Sequence, residues 1–319
     1  RSRHSDWYAL TSNDRLLHSG AFNWTYTLGT GLLDPWSIGA TALVLDYEVS
    51  LSDLPHIIKN SGATLFAAVP GVYRRLLDQN EKLNFPALRH CLSAGEKLSP
   101  NIHEKWRKKT EKCIYEAFGM SECSTFISTN KNTGPKIETI GRPQRGRKVA
   151  IIDQNTSEPV PIGEVGIIAV SSEDQGLMIG YHKEQDVKSN NKEWFATGDL
   201  GRMSKEGFIE YFGRVDDILN QGGFRVSPKE VESAFLDLEG LDSIVVFNLE
   251  IKQDTNVIAA IFTTQSNLNV EDLQNHARKR LANYKSPRVY IKSEIIPTVN
   301  NGKISRKNLS KTYRGLSID

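Results

Sequence analysis

The stretch YEAFGMSEC (115–123) sets an aromatic, a glycine, a hydroxyl and a carboxylate at the end of an apolar run. In that order Phe118 can lie against a flat ring and Gly119 admits close approach of another backbone. Ser121 can donate to a phosphate, and Glu122 can offer carboxylate oxygen to Mg2+. The same residues also suit a strand-to-helix loop whose Ser–Glu pair caps the next element. In FATGDLG (195–201), Asp199 follows a turn at Thr197–Gly198. Its carboxylate can accept from two neighbouring hydroxyls, as a ribose diol presents them, or it is an ordinary Gly-Asp turn residue. In VNNGKISRK (299–307), Lys303 can place an ammonium on a phosphate or carboxylate, although Asn-Gly is also the usual two-residue hairpin signal. Finally GRVDDILNQGGFRVSPKEVE (213–232) gathers arginines, acids and paired glycines in one span. It is either a solvated hairpin or a place where a large ligand binds and the chain moves.

Other chemistries are excluded by spacing. GTGLLD (29–34) lacks the last glycine of a dinucleotide fingerprint. No GxxxxGK[ST] phosphate loop and no GxSxG elbow occurs. The seven histidines show no paired-ligand spacing for a catalytic zinc.

The elements that must position these residues alternate between strand and helix at first. ALVLD (42–46), TLFAAV (64–69), HCLSAG (90–95) and CIYEAFG (113–119) read as strands. LSDLPHIIKNSG, GVYRRLLDQN and SPNIHEKWRKKT read as helices, the last opened by Ser99 and Pro100. Such alternation predicts an α/β fold, a parallel sheet covered by helices, with ligands at the carboxyl ends of the strands. Two of those ends are SAGEK (93–97) and FGMSE (118–122). From about Gly141, short strands separated by Pro, Gly and Asn turns predict a small β-barrel or sandwich. After Arg214 a helix at about Pro228–Leu238, strands SIVVFN and VIAAIFTT, a helix near Val270–Ala282 and strand RVYIK predict a compact α+β unit. The domains expected are therefore 1–140, the α/β part; 141–214, a β-barrel subdomain; and 215–319, a mobile α+β C-terminal domain.

A chain of 319 residues is long for one domain, and its net charge of +2 supports neither nucleic acid nor a membrane surface as a partner. Three scattered cysteines without CxxC spacing predict reduced thiols and a cytoplasmic setting. No apolar run approaches the roughly 20 residues of a membrane span, and a protein without a signal peptide is expected.

Taken in order, SAGEKL, YEAFGMSE, GEVG (163–166), ATGDLG, GRVDDILNQGGFRVSPKEVE and NNGKISR resemble the motif series of the adenylate-forming superfamily. The chain is similar to AMP-forming acyl-CoA synthetases over almost its whole length, most of all to the medium-chain acyl-CoA synthetase and benzoate–CoA ligase branch. DPWSIGATALVL, VPGVYRRLL and YKSPR support that branch. The resemblance implies an acid–thiol ligase using ATP, Mg2+ and CoA. A carboxylate attacks the α-phosphate of ATP, pyrophosphate leaves, and CoA thiol then displaces AMP from the acyl-adenylate.

By that resemblance Gly95, Glu96 and Lys97 flank the adenine, Phe118 lies against it, and Glu116 lies near its amino group. Ala117, Gly119 and Met120 belong to the same nucleotide-binding stretch. Ser121 reaches a phosphate, Glu122 holds Mg2+, Asp199 and Arg214 grip the ribose, and Lys303 bridges carboxylate and α-phosphate. Gly222, Gly223 and Phe224 line the pantetheine path, while Arg225, Ser286, Pro287 and Arg288 meet the CoA phosphates. Asp216 is the implied hinge, about which the small domain offers first Lys303 and then its glycine hairpin; Asp217 and Glu230 stay as solvated acids. Phe22 and Trp24, with Gly119, Met120 and Phe126, would close an apolar slot for a short to medium acyl or aryl acid, or else they pack the core.

The chain departs from the family pattern at several points. Phe118 stands where tyrosine is usual, Ser121 where threonine is usual, and Asn301 precedes the glycine before Lys303. Nothing resembles the family's TSGTTGxPK phosphate loop, and the chain opens on Arg1 rather than Met. The expectation is therefore a chain lacking the N-terminal part of an enzyme and impaired on its own. An amino-acid adenylation module and a non-catalytic nucleotide-binding fragment are the alternatives. A homodimer is left open.

Overall fold

The computed structural model describes residues 3–46, 49–79, 83–182, 193–221, 224–252, 255–298 and 304–314. The chain divides into two compact units, one of Arg1–Thr197 with Gly201–Tyr211, the other of Gly198–Leu200 with Phe212–Asp319.

The first unit is built on a seven-stranded sheet. Its strands are β1 (Arg15–His18), β2 (Thr41–Leu43), β3 (Leu65–Ala68), β4 (His90–Ala94), β5 (Ile114–Met120), β6 (Ser124–Ser128) and β7 (Arg142–Pro143). They lie in the order β2-β1-β3-β4-β5-β6-β7. The first five are parallel, but β6 pairs antiparallel with β5 and β7 antiparallel with β6, so the sheet is mixed rather than wholly parallel. The reason is connection length. Only residues 121–123 join β5 to β6, far short of the dozen or so that a parallel crossover needs.

β3 and β4 are buried at every position, as strands covered on both faces must be. After the single turn α1 (Asp34–Ser37), helices α2 (Leu54–Asn60), α3 (Pro70–Gln79) and α4 (Pro100–Thr110) supply one cover. Tyr73 of α3 and Trp106 of α4 meet edge to face at 4.9 Å over Phe66 of β3. α4 starts as its sequence signals: the Ser99 hydroxyl accepts from the Ile102 amide and Pro100 occupies the first turn. The opposite face is covered by Trp7, Tyr8 and Tyr26, and the Trp7 indole donates to the Tyr115 carbonyl at 2.9 Å.

Of the β-barrel or sandwich expected from about Gly141, the described residues form a four-stranded sheet, β8 (Val149–Ile152), β9 (Val165–Ser171), β10 (Trp194–Met203) and β11 (Ile209–Arg214), in the order β11-β10-β9-β8. Ile151, Ile168, Val170 and Ile209 pack with Cys123, Phe126 and Ile127. Lying on a neighbouring sheet already hides the apolar face, so the strands need not close on themselves.

The second unit opens with a turn at Val215–Asp217 and the antiparallel hairpin β12 (Leu219–Gln221) and β13 (Phe224–Val226). α5 (Pro228–Ser233), β14 (Ser243–Lys252), β15 (Thr255–Thr263), α6 (Val270–Arg280), β16 (Val289–Lys292) and α7 (Arg306–Thr312) follow. The sheet order is β14-β15-β16. Strand alternation divides β14 between two cores: Val246 joins Phe235, Leu273 and Ala277, whereas Val245, Phe247 and Leu249 join Leu309 of α7. α6 carries a full capping box between Asn269 and Asp272. Among the described residues no helix is long and apolar enough to cross a membrane.

Candidate functional site

In the first unit β4 and β5 are parallel neighbours, with Ala94 opposite Ala117. Their carboxyl ends therefore emerge side by side and carry 95–97 and 118–122 together. Gly95 has φ +95, and a Cβ there would come within 2.7 Å of the Trp24 ring. Only glycine meets both demands at this turn. Glu96 is half-buried. Lys97 donates from Nζ to the Glu138 carbonyl at 3.0 Å.

Glu116 is buried, and its Oε1 accepts from the Leu98 amide at 2.8 Å. Burial pushes its pKa up to about 8, against the opposing pull of that hydrogen bond and of Lys97. Its first task is thus to tie the chain after β4 to β5.

The stretch after Phe118 is the tip of an antiparallel hairpin, not a strand-to-helix loop. The pairing shifts register between Phe118 and Gly119. A Cβ on Gly119 would lie 2.6 Å from the Thr125 Cα, so the close backbone approach made by this glycine is to β6. Phe118 packs on Phe126 at 5.5 Å and on Tyr211 at 5.6 Å. Ser121 is exposed, with its hydroxyl 3.3 Å from that of Thr25. Glu122 is half-buried; its carbonyl accepts from the Met178 amide at 2.6 Å and its Oε1 from the Tyr181 hydroxyl at 2.9 Å.

The tip is clamped from behind. Arg147 donates to the Cys123 carbonyl at 2.8 Å and to the Thr125 carbonyl at 3.3 Å, and its Nε stands 2.9 Å from Asp174. Asp174 also accepts from the amides of Gly176 and Lys148.

The expected apolar slot is altered. Phe126 is wholly buried in the core between the two sheets, with the Arg147 guanidinium 5.7 Å from its ring, and Gly119 is backed by β6. These two take the core alternative. Trp24 is half-buried beside Gly95, and Phe22 is half-buried too.

In the second unit Asp199 is 5% exposed, and its Oδ2 lies 3.6 Å from Arg214 Nη1. Arg214 reaches Asp216 at 3.7 Å from its other terminal nitrogen. The structure thus brings Asp199, Arg214 and Asp216 together. Asp216 itself is exposed and falls inside this unit, after its start at Phe212. Asp217 and Glu230 are not merely solvated. Arg306 meets Asp217 at 3.2 Å while also holding buried Glu232 at 2.6 Å, and Lys285 pairs with Glu230. Ser286, Pro287 and Arg288 form the entry to β16, and Arg288 is exposed. Gln221 pairs with Phe224 across the hairpin; Gly222, Gly223 and the side chains of Phe224 and Arg225 lie outside the described residues, as does Lys303.

Arg147, Asp174, Tyr181 and Tyr211 were not legible as site residues. Only Tyr211 had a signal, as part of the aromatic strand GFIEYFG. The other three act through partners distant in sequence.

Residues 2–182, more than half of the chain, match the family described as AMP-binding enzyme. The chain belongs to this family. Among curated relatives it is 32% identical to human mitochondrial acyl-coenzyme A synthetase ACSM1 over 302 residues, covering 89% of this chain and 52% of that protein. Its fold matches a benzoate CoA ligase from Burkholderia xenovorans LB400 with TM-score 0.85 and 26% identity, over 96% of this chain and 63% of the other. O-succinylbenzoate coenzyme A synthetase from Bacillus subtilis, solved with ATP and magnesium ion, matches at TM-score 0.79 and 25% identity, over 94% and 62%. The chain spans about half the length of the curated relatives it matches.

Proposed function

We propose that the protein activates a short to medium-chain or aryl carboxylic acid as its acyl-adenylate and passes the acyl group to CoA. The observation that carries this reading is the side-by-side emergence of 95–97 and 118–122 from parallel strands β4 and β5, in a chain of the AMP-binding family. Gly95–Lys97 and Phe118 border the base, Ser121 donates to phosphate, and Asp199 with Arg214 takes the ribose hydroxyls. Lys303 neutralises charge on the attacked phosphate; this role rests on motif order alone. Gly222, Gly223, Phe224, Arg225 and Ser286–Arg288 receive CoA on the same ground, and Asp216 is the pivot. Little covalent chemistry falls to such a protein, which orients two anions and offsets developing charge.

Glu122 suits Mg2+ that arrives on a nucleotide. Mg2+ is commonly held by one or two carboxylates together with substrate phosphates, and Glu122 offers one oriented carboxylate. Among the described residues no cluster of three or more His, Cys, Asp or Glu could hold a metal alone. When bound, the ion would neutralise phosphate charge; Glu122 and Ser121 would hold the triphosphate end in place.

The test is thioester formation from a panel of acids with ATP and CoA, using the longest open reading frame that contains this sequence. Turnover of benzoate-like or medium-chain acids is expected. A preference for palmitate, or for amino acids, would contradict the substrate class.

A further inference from the structure

We propose that Tyr181 is a positioning residue for Glu122, acting through its hydroxyl; the proposal rests on the reading of Glu122 as the carboxylate that meets the metal–nucleotide. An unheld glutamate at a hairpin tip samples several rotamers, and fixing one costs side-chain entropy. Here one segment grips Glu122 twice. The Met178 amide donates to its carbonyl at 2.6 Å, and the Tyr181 hydroxyl donates to Oε1 at 2.9 Å. The base of the segment is fixed, since Asp174 is paired with Arg147 and Leu177 is buried in the core. Tyr181 is itself 48% exposed, so core packing does not account for its place. A phenol has two side-chain torsions and delivers its donor with little loss of freedom. Among the described residues only Oε1 of the Glu122 carboxylate receives a side-chain hydrogen bond, and Oε2 is left for a ligand. Groups that orient a metal-binding carboxylate typically contribute 10- to 100-fold to metal affinity.

The test compares the protein encoded by the longest open reading frame that contains this sequence with its Tyr181→Phe, Glu122→Gln and doubly substituted forms. Binding of Mn2+·ATP is followed by electron paramagnetic resonance, and binding of ATP alone is followed in chelator. Tyr181→Phe keeps the ring, so thermal melting should not change. We expect Mn2+·ATP to bind about tenfold more weakly, metal-free ATP to bind as before, and Tyr181→Phe to add nothing to Glu122→Gln. The proposal is overturned if Tyr181→Phe binds Mn2+·ATP normally while Glu122→Gln does not. Additive losses, or an equal loss of metal-free ATP binding, overturn it as well. If Glu122→Gln has no effect, the reading of Glu122 itself falls, which is a separate outcome.

Discussion

The Arg147 guanidinium stands 2.9 Å from the Asp174 carboxylate, with 11% and 1% of their side chains exposed, and the same guanidinium donates to two carbonyls of the hairpin that carries Glu122. One shielded cation thereby joins two loops that are remote in sequence. Arg147→Ala leaves Asp174 shielded from water and uncompensated, for which a loss of about 3–5 kcal/mol is typical. Chemical denaturation should show a loss of that size, and amide exchange should accelerate at Met178, whose amide is bound to Glu122. A loss under about 1 kcal/mol would mean that the pair is dispensable.

Glu116 should make stability fall with rising pH. Its folded pKa is raised to about 8 from an ordinary 4.5. Between those values the folded chain binds more protons than the unfolded chain, so the contribution is full below about pH 4.5 and is lost as pH rises through about 8. The slope in that window is at most about 1.4 kcal/mol per pH unit. Glu116→Gln, which still accepts from the Leu98 amide, should flatten the profile and be the more stable form at high pH. Matching urea titrations at pH 5 and pH 9 check this; parallel profiles would contradict it.

Asp199 should discriminate for the ribose. Hydrogen bonds to a charged group contribute about 1.5–3 kcal/mol, so Asp199→Ala should weaken ATP binding roughly ten- to hundredfold. The unaltered chain should bind 2′-deoxy-ATP less well than ATP, and Asp199→Ala should bind the two alike. Discrimination that survives the substitution would remove Asp199 from the ribose site.

Local pattern accounts for much of what the sequence disclosed. The short strand runs at β3 and β4 and the Ser99-Pro100 cap are encoded by neighbouring residues, and the structure keeps them. β1 was missed because RLLH is four residues long and begins with a charge. The hairpin at 121–123 was missed because Ser-Glu also reads as a cap, and only the register of β6 decides between the two. The Glu122 grip and the Arg147–Asp174 pair join residues through tertiary contact and leave no periodic trace. For Phe126 the sequence left an apolar slot and core packing both open, and burial between two sheets favours the core.

The central claim, that the residues at the ends of β4 and β5 serve carboxylate adenylation, is tested most directly by carboxylate-dependent exchange of radiolabelled pyrophosphate into ATP, without CoA. The account predicts exchange with short to medium-chain or aryl acids and its near-complete loss in Glu122→Gln. Exchange that needs no carboxylate, or that Glu122→Gln leaves intact, would contradict it.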